Sequence, residues 1–116
     1  MTMVALKPGV NVSGVAPEMV VGLLVIAGVF AEQGVPLIIT SVTEGKHGPG
    51  SLHYQGRAVD LRLPSRMTRD TGDDEKIRRA LVVALGDDFD VVVHGDGDSR
   101  HVHVEWDRKT PTVHTA

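Results

Sequence analysis

The chain has 116 residues, 41% of them hydrophobic and 23% charged, which fits one domain able to bury its own core. A formal net charge of -3 offers no basic face for phosphates, and the absence of cysteine removes disulfides, thiolate metal sites and a cysteine nucleophile. The expectation is a single domain over 1–107 with a polar, flexible tail over 108–116, favoured as a monomer.

The first strong element is the apolar run Met19 to Ala31, bracketed by Pro17, Glu18 and Gly34. Proline at a first helical position, an acid in the first turn and a closing glycine predict a helix over 17–33. Its near-continuous apolar surface predicts deep burial. The run is shorter than the about 20 residues a membrane span needs, and it lacks the basic flank and cleavage site of a signal peptide, so no membrane role is expected.

Residues 35–42, "VPLIITSV", are rich in β-branched side chains and predict a core strand that runs into the loop "TEGKHGPG". "RAVDLRL", 57–63, alternates, with Val59, Leu61 and Leu63 on one face and Ala58, Asp60 and Arg62 on the other. "SRMTRDTGDD" reads as a polar loop, and Ile77, Ala80, Leu81, Ala84 and Leu85 then recur at helical spacing between the acids at 73–75 and Gly86. Phe89 to His94 and His101 to Trp106 predict a hairpin about the turn "GDGDSR". The sum is an α+β fold, with a small, mostly antiparallel sheet whose one face packs on helices.

The chemistry concentrates in "SLHYQGRAVDLRL", "GDGDSR" and "HVHVEW". Alternation places His101, His103 and Glu105 on one strand face, and Asp60 on the polar face of its own strand. A turn at Gly56 can bring His53 back over Asp60, so two histidines and one carboxylate can converge. That donor set suits Zn2+, which takes three protein ligands at catalytic sites and leaves a fourth position for water. Proton transfer then requires a nearby carboxylate; Asp98, just before the His-x-His strand, is favoured on reach, with Asp96 as its rival. His47 and His94 read as surface residues rather than spare ligands, His114 in the tail has no partner in view, and "GDGD" lacks the closing glutamate of a calcium loop.

"SLHYQGRAVD" resembles the S-x-H-x-x-G-x-A-x-D motif of the D-Ala-D-Ala zinc metallopeptidases, the group that includes lysostaphin-type enzymes and the hedgehog signalling domain. It matches at Ser51, His53, Gly56, Ala58 and Asp60, and "HVH" resembles the family's downstream H-x-H. The likeness covers roughly 36–107. It implies one zinc ion held by His53, Asp60 and His103, with His101 either beside the substrate carbonyl or steadying the site, and Asp98 or Asp96 as the catalytic acid. It further implies hydrolysis of a peptide bond in peptidoglycan stem peptides, by a carboxypeptidase or an endopeptidase of the phage lysis type. Where relatives carry a substrate-holding arginine, this chain has Lys46 or His47, and Ser51 with the 43–50 loop would shape the substrate pocket. One Trp, one Tyr and two Phe leave little surface for stacking sugars, which favours the peptide over the glycan. The competing expectation is a non-catalytic zinc-binding interaction module on the same fold.

Overall fold

The computed structural model describes residues 3–43 and 52–109. Helix α1 covers Pro17–Gln33, as proline, first-turn acid and glycine stop dictate. Gly34 takes a left-handed φ of 71°, which turns its N–H back to the carbonyls of Ala31 and Phe30 and ends the helix. Only one side of α1 is buried, through Met19, Gly22, Ile26, Val29 and Phe30. Val21 and Leu24 are 61% and 70% exposed, so the expected burial on all sides does not occur. The helices form a single layer, and the outer surface of α1 faces solvent.

Five strands make one sheet in the order β1-β2-β3-β5-β4: β1 Val4–Leu6, β2 Leu37–Ser41, β3 Ala58–Arg62, β4 Phe89–His94 and β5 His101–Trp106. β2 with β3, β3 with β5 and β5 with β4 are antiparallel, but β1 joins β2 in parallel, so the sheet is mixed. The β1 edge strand has no counterpart in the expected elements. It is three residues long and mostly exposed, too short to show a period, and it exists through its pairing with Leu37–Ile39.

Helix α3, Gly72–Leu85, follows the expected amphipathic segment and buries Ile77 and Leu81. Before it, the stretch expected to be a loop contains a single-turn helix, α2, at Ser65–Thr68. Asp74 causes this: its carboxylate accepts hydrogen bonds from Ser65 N and Ser65 Oγ, both at 2.7 Å. That cap comes from nine residues downstream, beyond the reach of local propensity.

The core lies between the helices and one sheet face, where Leu37, Ile39, Val59, Leu61, Val91, Val102 and Val104 meet Met19, Ile26, Phe30, Ile77 and Leu81. Gly22 lets the Phe89 ring approach so closely that a Cβ there would sit 2.8 Å from Phe89 Cε2. Period-two alternation sends Asp60, Arg62, His101 and His103 to the opposite face. Among the described residues no helix is long and apolar enough to cross a membrane.

Candidate metal centre

β3 and β5 lie side by side with Asp60 opposite His103 and Arg62 opposite His101. Cross-strand neighbours on one face are close enough for direct contact, so the ladder alone brings the carboxylate to the histidine pair. His53 arrives from a 3-10 turn at Leu52–Gln55, closed by Gly56 N–H to His53 O at 3.0 Å and Arg57 N–H to Leu52 O at 2.9 Å. Gly56 has a φ of +67°, and a Cβ there would lie 2.1 Å from Gly14 O and 2.7 Å from Val15 Cα. Only glycine meets both demands, the left-handed turn and the close approach of a second chain segment. Ala16 N–H also bonds Gly56 O at 2.9 Å, tying the turn to the start of α1.

Three imidazoles gather around one oxygen of Asp60. His103 Nδ1 is 2.8 Å from Asp60 Oδ1, and His53 Nε2 and His101 Nε2 are each 3.3 Å from it. The far nitrogens fix the tautomers. His53 Nδ1 is 2.6 Å from Val42 O and His101 Nδ1 is 2.7 Å from Ser99 O, and a carbonyl can only accept, so each Nδ1 carries its hydrogen. In a neutral ring Nε2 then bears a lone pair, directed at a carboxylate that is itself an acceptor. Such a contact is repulsive unless a proton or a cation lies between the partners. His103 differs, with its Nε2 3.1 Å from Glu105 Oε1, which leaves Nδ1 as the nitrogen facing the cluster.

His53, Asp60 and His103 each offer a ligand atom, all within 4.8 Å of one another, close enough to hold a metal ion. His53 is 2% exposed and Asp60 is also buried. Burial by itself would raise the Asp60 pKa, but the imidazoles of His103, His53 and His101 gathered around it hold it well below the usual carboxylate range. For His103 burial pulls the other way, and contacts with Asp60 and Glu105 outweigh it, so its pKa is raised. A buried, ionised carboxylate beside histidine nitrogens is the donor set of a transition-metal or zinc site.

An open groove of about 560 Å3 adjoins the cluster and is lined in part by Asp60, His101 and Asp98. Asp98 is therefore in the groove; its carboxylate is fully solvated and lies 3.5 Å from Arg66 Nη1. Asp96 is not among the groove's lining residues, and its backbone carbonyl accepts from Ser99 N–H and Ser99 Oγ in the turn Gly97–Ser99. His94 packs edge-on against His101 at 5.7 Å between ring centres. Ser51, Lys46, His47 and the rest of the 44–51 segment, together with His114 and the tail from 110, lie outside the described residues.

Two contributions escaped sequence reasoning. The strand alternation puts Glu105 on the histidine face without giving it a role, and the two-residue step from His103 is the available signal. Arg62 and Arg66 also line the groove, and only the fold brings them there. A second acidic group, Asp90, Glu105 and Asp107, has oxygens within 4.8 Å of one another, but Lys109 Nζ already pairs with Asp90 at 2.8 Å. No protein-family model matches the chain.

Proposed function

We propose that this protein is a zinc-dependent peptidase that cuts a peptide bond in the stem peptides of bacterial peptidoglycan. The observation that carries the reading is the convergence of His53, Asp60 and His103 from a turn and two different strands, beside an open groove. Two imidazoles and a carboxylate match the usual ligand count of catalytic zinc. The likeness of Ser51 to Asp60 to the D-Ala-D-Ala metallopeptidase motif supports the substrate class.

Bound zinc would supply a water acidified to a pKa of about 7 and a Lewis acid for the scissile carbonyl. His53 presents Nε2 because Val42 O holds its Nδ1–H, and His103 presents Nδ1 because Glu105 takes its Nε2–H. Asp98 is the proton carrier, taking a proton from the attacking water and delivering it to the leaving amine. His101 contacts Asp60 and lines the groove, so its ring would border the scissile carbonyl of a bound peptide.

The test is digestion of purified peptidoglycan with and without zinc, with mass analysis of the fragments. New amines without new reducing ends are expected, and Asp98→Asn should abolish them while retaining zinc. A second reading, a non-catalytic zinc module, draws on the full solvent exposure of Asp98, which makes no described contact with the cluster. Zinc binding with no metal-dependent product on several wall chemotypes would establish that reading instead.

A further inference from the structure

The net charge of the chain is negative, yet Lys7, Arg62, Arg66 and Arg100 all line the groove beside the metal cluster. They come from four separate places: the residue after β1, the end of β3, α2 and the residue before β5. Like charges brought together repel, and the groove's two carboxylates do not cancel them. Asp60 is engaged by three imidazoles, and Asp98 faces Arg66 alone. Arg66 and Arg100 are anchored by carbonyls, through Arg66 Nη2 to Gly97 O at 2.6 Å and Arg100 Nη1 to Gly95 O at 3.2 Å. Neither the Arg62 guanidinium nor the Lys7 ammonium makes a hydrogen bond or ion pair among the described residues. Arg62 is half-buried, directly across the ladder from His101 and two residues from Asp60 on the same face.

We propose that this groove is a carboxylate-binding site, in which Arg62 receives a carboxylate of the ligand next to the metal cluster, with Lys7 adding positive potential. A guanidinium offers parallel N–H donors that match the two oxygens of a carboxylate, whereas a lysine acts as a point charge. Arg62 is held by the strand that carries Asp60, so the bound carboxylate has a fixed register relative to the metal. The substrate assignment rests on the peptidase reading; the site itself rests on the groove. In a peptide the carboxylate comes either from the free C-terminus or from an acidic side chain.

Three probe peptides separate these sources: N-acetyl-Ala-Ala with a free C-terminus, its C-terminal amide, and N-acetyl-Ala-Glu-amide. Binding to the full chain is followed by NMR, through backbone amide shifts and the Arg62 Nε–Hε signal, in chelator and again with zinc. A carboxylate-bearing probe should bind at least about tenfold more tightly than the uncharged amide. Preference for the free C-terminus or for the glutamate side chain names the source. Arg62→Gln should remove the preference, and Arg62→Lys should restore only part of it, with melting and zinc affinity of both variants unchanged. Equal binding of all three probes, or an undiminished preference in Arg62→Gln, overturns the proposal. The peptidase reading fails separately: carboxylate preference without zinc binding sinks that reading alone, and zinc-dependent cleavage without the preference sinks only the groove.

Discussion

Metal removal should reverse the pH dependence of stability, because the same two side chains serve a proton in one state and an ion in the other. In metal-free protein the Asp60 pKa lies below its ordinary value of 3.8, so its stabilising contribution is complete above that value and is lost as pH falls through the lowered folded value. The His103 pKa lies above its ordinary 6.5, so its contribution is complete below 6.5 and is lost as pH rises through the raised folded value. Metal-free protein should therefore lose stability as pH rises above 6.5 and through the raised His103 value. Zinc has the opposite sign, since it needs the lone pair of His103 that a proton would otherwise occupy. At free zinc about 100 times Kd the native state gains about 2.7 kcal/mol, which in a chain of this size raises Tm on the order of 10 °C. Calorimetric melting in chelator and in buffered zinc, across this pH range, measures both slopes. Coincident Tm values at every pH, or two curves falling together, would refute the idea that His103 and Asp60 hold an ion.

Gly56→Ala should cost about 2–3 kcal/mol: about 1–2 for the left-handed φ and about 1 for the strained bond from Ala16 N–H. Denaturant unfolding measures this, and a loss below about 1 kcal/mol would show that the neighbouring Gly14–Ala16 backbone yields easily. Glu105→Leu should weaken zinc binding about 10- to 100-fold by releasing the His103 tautomer. Glu105→Gln should stay within a few-fold of the wild type, because its amide oxygen still accepts the Nε2–H; competition with a chromophoric chelator reads both, and wild-type affinity in the leucine variant would remove Glu105 from the site.

What was legible in the sequence followed from local chemistry. Pro17 and Gly34 set the bounds of α1, the acids at 73–75 and Gly86 bracketed α3, and alternation in β3 and β5 separated core valines from polar residues. That alternation, with a glycine turn after His53, was enough to anticipate the meeting of His53, Asp60 and His103. Features built from distant segments were not legible. The parallel β1, the α2 turn capped by Asp74 and the exposed outer side of α1 depend on which element lies alongside which. The groove shows this most clearly, since nothing local in Lys7, Arg62, Arg66 or Arg100 tells that they share one wall space.

The electrostatics of the cluster explain why a dication suits it better than protons. Val42 O and Ser99 O already take the Nδ1–H of His53 and His101, so hydrogen bonding from their Nε2 to Asp60 would require both rings to be imidazolium. With His103 also protonated, three positive charges would crowd onto one oxygen of Asp60, opposed by that carboxylate and Glu105. A single ion beside Asp60 lets all three rings remain neutral, turns the lone pairs of His53 Nε2 and His103 Nδ1 into ligands, and leaves Glu105 paired with the Nε2–H of His103. The backbone carbonyls thus select the metal-ready tautomers before any ion arrives. Preset tautomers of this kind are what a metal site requires of its ligands, and they are the ground on which the zinc proposal stands beyond mere proximity of the side chains.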